Sequence, residues 1–180
     1  MTVPSRPALK LRPEDLPPLR PAEDCPHPEA QALLALWRDL PRRGRWPDWS
    51  ELDKTRLKRW MGWLIVYDVL DGGRDARYRL TGTKLVDQIG LDLVGKRISE
   101  AVYSSSPAIM MNQLGRMMDQ ATPAWVNSPV ATRNGYSTSQ NRLWLPFAER
   151  GDAIAVWLLF ICDSEALVDP YDMRRVVAVP

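Results

Sequence analysis

Two rhythms of apolar and polar positions run along this chain, and the switch between them marks its elements. After Pro28, Leu33, Leu34, Trp37 and Leu40 recur at helical spacing, which predicts an amphipathic helix over 29–40 that ends before Pro41 and Gly44. Ser50 followed by Asp53 reads as a capping box, so a second helix is expected from about Glu51 to Trp60, with Leu52, Leu57, Trp60 and Met61 inward. The rhythm then shortens. WLIVYDVL (63–70) has strand composition, Asp71-Gly72-Gly73 is turn chemistry, and ARYRLT (76–81) returns with Tyr78 and Leu80 alternating against Arg77 and Arg79.

Helical spacing resumes from Thr83 to Ile89, stopping at Gly90. It returns over Pro107–Gln120, where Ile109, Met110, Met111, Leu114, Met117 and Met118 form an apolar side. Three strands close the chain. They are predicted at 124–131, 139–147 and 153–162, with a hairpin turn at Asn134-Gly135 and another around Arg150-Gly151-Asp152. The last strand is apolar on both alternations, as in a central strand covered on both faces. One cover is the helical segment between the second and third strands. The helix at 29–40 is the candidate for the other, within the chain or across a dimer.

These elements make an α+β fold. They divide into a Pro-rich disordered tail (1–28), a helical extension (29–62), a core (63–163) and a C-terminal tail (164–180). Eight of the 16 prolines fall in the first 28 residues, which disfavours regular structure there. With 180 residues, one domain is expected, able to bury roughly 70% of its unfolded surface. A net charge of +2 is too small to imply a nucleic-acid or anionic-membrane partner by itself. Cys25 and Cys162 are isolated and give neither a disulfide framework nor zinc spacing, and no secretory or membrane-spanning segment is visible; a cytoplasmic protein is expected.

Residues from about 31 to 163 resemble the PAS domain, in particular the single-domain family common in alphaproteobacteria. The resemblance rests on LWRDLPRRGRWPDWSELD, RYRLTGTKLVDQIGLDLVGK and NRLWLPFAERGD. Arg79-Leu80-Thr81-Gly82-Thr83 is similar to that family's strand-to-helix signature. Gly90 with Gly95-Lys96 resembles its pair of glycines, and Leu145-Pro146 its Leu-Pro step. Lys54 departs from the proline that many relatives carry before the second helix. What the resemblance implies is a five-stranded antiparallel sheet with helices on one face, acting as a sensory or interaction module without catalysis.

Other chemistry is weak. GLDLVGKR (90–97) is a near miss to a phosphate-binding loop, but bulky residues fill the cradle and Arg97 replaces the magnesium-binding hydroxyl, so it reads as a structural turn. His27, the single histidine, lies in the Pro-rich segment, away from any pocket that could hold haem or a catalytic group. No cysteine lies in 96–120, where related flavin photosensors carry their adduct cysteine. The cofactor is therefore unknown. Asp68, Asp71, Asp75, Asp87 and Asp92 read as turn formers and solvated groups. Arg42, Arg43 and Arg45 beside Trp46 and Trp49 mix cations with stacking rings, yet near-neutral charge argues against nucleic acid.

Eight tryptophans and a Met-rich helix suggest an adaptable apolar wall for a flat organic ligand, unless these side chains simply fill the core. The candidate pocket is Tyr78, Met110, Met111, Leu114, Trp125, Arg142 and Trp144, with Arg142 supplying charge recognition if it turns inward. Leu33, Leu34, Trp37 and Leu40 are the candidate partner or dimer face. The expected function is a cytoplasmic signalling module that binds a small molecule or a protein partner and signals in trans. The alternatives are a purely structural dimerisation module, a small α+β enzyme or a nucleic-acid binder.

Overall fold

The structure, a computed structural model, describes residues 16–100, 107–131 and 137–162. Its centre is one antiparallel sheet of six strands: β1 (Arg20–Pro21), β2 (Leu64–Leu70), β3 (Asp75–Thr81), β4 (Ala124–Ala131), β5 (Ser137–Ala148) and β6 (Ile154–Ile161). Their order across the sheet is β1-β4-β5-β6-β2-β3. The early hairpin and the late meander thus lie side by side in one sheet, joined by the β6–β2 pairing. Three helices accompany it, α1 (Pro28–Arg38), α2 (Thr83–Ile89) and α3 (Pro107–Gln120).

Antiparallel partners share a face, so the register sorts the side chains. One face carries Trp125, Leu143, Leu145 and Phe147 with Phe160, Leu158 and Val156. The other carries Arg142, Trp144, Leu159, Trp157, Tyr67 and Tyr78. Helix α1 lies on the first face, where the Trp37 indole donates to the Pro146 carbonyl at 2.9 Å and His27 meets Phe160 edge-on at 6.3 Å. Helix α3 crosses the second. Met110 and Gln113 touch Arg142, while Met118 accepts from Trp157 Nε1 at 3.3 Å and lies against Gly73. Both faces are therefore covered within one chain.

Four expectations need correction. The sheet has a sixth strand, because Arg20 and Pro21 pair with Trp125 and Ala124. Residues 16–28 belong to the fold rather than to a disordered tail: Leu16, Ala22 and Cys25 are buried. Gln31 of α1 donates to the carbonyls of Ala22, Glu23 and Cys25, which ties this turn to the helix. His27 is the N-cap of α1, accepting from Glu29 N–H at 3.2 Å.

The helix expected from Glu51 to Trp60 is instead a chain of 3-10 turns, at Trp49–Glu51, Lys54–Leu57 and Met61–Trp63. Asp48 accepts from the N–H and hydroxyl of Ser50, and Asp53 from those of Thr55. Each carboxylate starts its own turn, a local bonding pattern that competes with a continuous helix. Leu52, Leu57 and Trp60 are buried as expected. Finally, strict alternation in β3 breaks at a bulge opposite Val66/Tyr67: Tyr78 faces Tyr67, but Leu80 faces Val66 on the α1 side.

Two glycines place the α2 segment. A Cβ at Gly82 would lie 2.3 Å from the Gly62 carbonyl oxygen, so only glycine admits this approach where β3 passes into α2. Gly95, at φ 84°, turns the chain back along β3; its N–H donates to the Tyr78 carbonyl at 2.8 Å and Tyr78 N–H to the Lys96 carbonyl at 3.0 Å. GLDLVGKR is thus a structural turn along the outer edge of β3, with Arg97 ion-paired to Asp71 and Asp75. The expected turn at Asn134-Gly135 and the C-terminal tail lie outside the described residues.

Candidate functional site

The α3 side of the sheet holds an aromatic interior. Trp144 stacks on Tyr67 with ring centres 5.7 Å apart and meets Trp157 edge-on at 6.2 Å, while Tyr67 packs on Tyr78 at 4.8 Å. Leu114 and Met117 of α3 are fully buried, and Met118 of the same helix accepts from the Trp157 indole. Strand alternation explains the wall: Gln140, Arg142, Trp144 and Pro146 occupy every second position of β5 and so point one way.

At the hairpin end of this face the interior turns polar. Arg142 is only 7% exposed, Gln113 2% and Gln140 4%. Arg142 Nη1 donates to Gln113 Oε1 at 3.3 Å and lies 3.7 Å from Met110 Sδ, and Nη2 donates to Gln140 Oε1 at 3.3 Å. Ser128, also buried, sits directly opposite Gln140 in the register. Four of the five buried polar or charged residues among those described meet here. The fifth, Asp75, anchors the segment before α3 by accepting from Ser99 Oγ at 2.8 Å and pairing with Arg97.

Two amide oxygens and a thioether are among the contacts of this guanidinium. Neutral contacts at 3.3 Å lie beyond the 2.7–2.9 Å typical of charge-assisted bonds to carboxylates. Beside them the Trp144 indole N–H is buried and meets no acceptor among the described residues. The arrangement sets a buried indole N–H beside a flat apolar wall.

Of the residues expected in a pocket, Tyr78, Met110, Leu114, Arg142 and Trp144 are brought together on this face, and Met111 packs at its margin. Trp125 is not among them. It pairs with Leu143 and therefore points to the α1 side, where Arg20 covers its ring at 5.6 Å. Leu33, Leu34, Trp37 and Leu40, expected to cover the sheet within the chain or across a dimer, are buried against the sheet of their own chain. Sequence reasoning missed Gln113, Gln140 and Ser128. The period-two spacing of Gln140 with Arg142 and Trp144 carried that information.

The cations near tryptophans have structural work. Arg42 lies over Trp37 at 4.5 Å, Arg45 over Trp46 at 4.5 Å and Arg59 over Trp60 at 4.3 Å, each shielding a largely buried ring. The aspartates behave likewise: Asp68 pairs with Arg77 and Arg79, and Asp92 accepts from Val94 N–H. Among the described residues no helix is long and apolar enough to cross a membrane, and no three His, Cys, Asp or Glu side chains gather as metal ligands.

Residues 25–158 match the model of a family described as PAS domain. No curated protein matches the chain.

Proposed function

The chain belongs to the PAS domain family, whose members are generally non-enzymatic sensory and signalling modules, and from that premise we propose that it senses a small organic molecule held between the sheet and α3. The observation that carries this reading is the buried knot of Arg142, Gln113 and Gln140 beside Trp144. A guanidinium, two side-chain amides and a buried indole N–H converging beside an aromatic wall form the kind of polar grouping that orients a ligand in a small-molecule site.

Strand β5 supplies the mechanism. Its even positions, Arg142 and Trp144, face the candidate site, while its odd positions, Leu143, Leu145 and Phe147, lie beneath α1. Trp37 of α1 bonds the carbonyl of Pro146 in the same strand. A ligand that shifts Arg142 or Trp144 displaces the seat of α1, and two packings of α1 on the sheet become the two signalling states. The altered face is read by a protein partner, so the output is in trans.

Native mass spectrometry of the chain purified from its own host tests this directly, together with hydrogen exchange before and after removal of any bound mass. A stoichiometric small molecule whose removal speeds exchange in α3 and β5 is expected. A chain without bound mass, and with exchange unaltered by cell extract, would instead favour a relay by protein contact. One observation supports that second reading: Leu91 and Val94, 37% and 50% exposed, are the large apolar side chains presented to solvent by the described residues.

A further inference from the structure

We infer that the exposed side of residues 42–59 is a basic docking face for an acidic protein segment. This names the partner that the output in trans requires, and it rests on that reading for the output alone. The face itself is independent of any interior ligand.

The first argument is the separation of charge. Residues 42–59 hold seven cations against three acids, a surplus of four, whereas the whole chain carries +2. The apolar side chains of the same stretch, Trp46, Trp49, Leu52 and Leu57, are buried, while all seven cations are exposed. The chain here runs as a strap with an apolar inner side and a basic outer one. Asp48 and Asp53 direct their carboxylates to the N–H groups of Ser50 and Thr55, and Glu51 meets Arg43 at 3.5 Å. Among the described residues no carboxylate lies within ion-pairing distance of Arg42, Arg45, Lys54, Arg56 or Lys58. Like charges gathered on one strap repel, and an acidic partner relieves that repulsion.

The second argument selects the partner. Trp46, Trp49 and Trp60 are only 7%, 7% and 5% exposed and lie beneath Arg45, Lys54 and Arg59, so they present no ring on which a base could stack. The exposed large apolar side chains, Leu91 and Val94, belong to another segment, so this face has no anchor to sink into a bilayer. What it presents is guanidinium. Arg42 and Arg45 are held over Trp37 and Trp46, and each gives an N–H to a backbone carbonyl, of Trp37 and of Ala121 respectively. A guanidinium has five donors, so others remain for the oxygens of a carboxylate. The third argument is attachment. The Pro47 carbonyl accepts from Ala148 N–H at 3.0 Å and Asp48 from Arg150 N–H at 3.1 Å, which fixes the strap to the end of β5 before any partner arrives. On the inner side Leu52 and Leu57 line the same small apolar cavity as Leu33, Leu36 and Trp37 of α1. A shift of α1 therefore moves the basic face, which couples the partner to the two packings of that helix.

The test is fluorescence anisotropy of the full chain with labelled polyglutamate and with oligothymidylate of the same length, at low salt and with salt added. Polyglutamate should bind at low salt and weaken ten-fold or more towards physiological salt. Arg56→Glu with Lys58→Glu should weaken it ten-fold or more while the circular dichroism melt stays unchanged. Arg74→Glu with Lys96→Glu places the same charge change at the β3 edge, on exposed side chains, and should leave binding within about two-fold. Arg56→Gln with Lys58→Gln should weaken binding several-fold, and it decides the matter if the glutamate pair does not fold. Equal losses in the strap pair and the β3 pair overturn the assignment to this face, because binding then follows net charge alone. Tighter binding of oligothymidylate, or of phosphatidylglycerol vesicles, overturns the protein partner. Polyglutamate that fails to bind at low salt overturns the inference, and the host-purified mass judges the interior ligand separately.

Discussion

Replacing Trp37 by Phe isolates the contact that seats α1 on the sheet. The substitution keeps a ring in the same position and removes one N–H, the donor to Pro146 O at 2.9 Å. Proline 146 brings no N–H of its own to β5, and its carbonyl is buried beneath the helix. Orphaning a buried carbonyl costs about 1–3 kcal/mol. Arg42 stacks at 4.5 Å on the Trp37 ring, and phenylalanine is a poorer cation–π partner by a few tenths of a kcal/mol, roughly. The sum is a loss of about 1.5–3 kcal/mol. For a domain of this size each kcal/mol lowers the melting temperature by about 2–4 °C, so Trp37→Phe should melt roughly 5–10 °C below wild type. Trp37→Ala adds a cavity and should cost about 3–5 kcal/mol. The assay is circular dichroism melting at protein concentrations spanning a hundred-fold. Because α1 covers the sheet of its own chain, the melting temperature of wild type and both variants should not change with concentration. A Trp37→Phe variant within about 1 °C of wild type refutes the hydrogen-bond argument. A concentration-dependent deficit refutes cover within the chain and points to an exchanged α1.

Other outcomes follow from particular positions. At Gly82 a methyl group would strike backbone, the carbonyls of Gly62 and Met61, which cannot swing away; Gly82→Ala should cost about 3 kcal/mol in urea unfolding. Gly115 in the middle of α3 has open space around it, so Gly115→Ala should add about 0.5–1 kcal/mol, and a loss there would mean that α3 packs more tightly than described. The Ser50 hydroxyl, then the Ser50 and Arg150 N–H groups, hold the Asp48 carboxyl below its ordinary 3.8. The stability it contributes is complete above that value and is lost as pH falls through its lower folded value. Asp48→Ala should therefore cost about 1 kcal/mol near neutrality, with its melting deficit unchanged from neutral pH down to about pH 4 and narrowing as pH falls below 3.8; a deficit that stays constant below 3.8 sinks the argument.

Much of this architecture was legible in local pattern. The 3.6-residue rhythm marked α1, α2 and α3 to within two residues, and β-branched runs marked β2 to β6. The resemblance to the PAS family, carried by short motifs around Gly82 and Leu145-Pro146, agrees with the family match over 25–158. The capping-box reading at Ser50 failed because Asp48 lies two residues upstream and takes the Ser50 N–H first. Nothing in a proline count announced β1, since two residues gain a sheet edge only when β4 is there to receive them.

The candidate site divides in the same way. Alternation alone put Arg142 and Trp144 on one side of β5, and helical spacing alone put Met110 and Leu114 on one side of α3. Which side of the strand meets which helix is a matter of register between residues far apart in sequence, and there a shift of one position moves a side chain to the opposite face. Trp125 pairs with Leu143 rather than with Trp144, so it turns to α1 and leaves the site, while Gln113 arrives from 29 positions upstream to meet Arg142. Local chemistry determined the elements and their two-sidedness. Only long-range pairing and burial decided which polar groups share the interior.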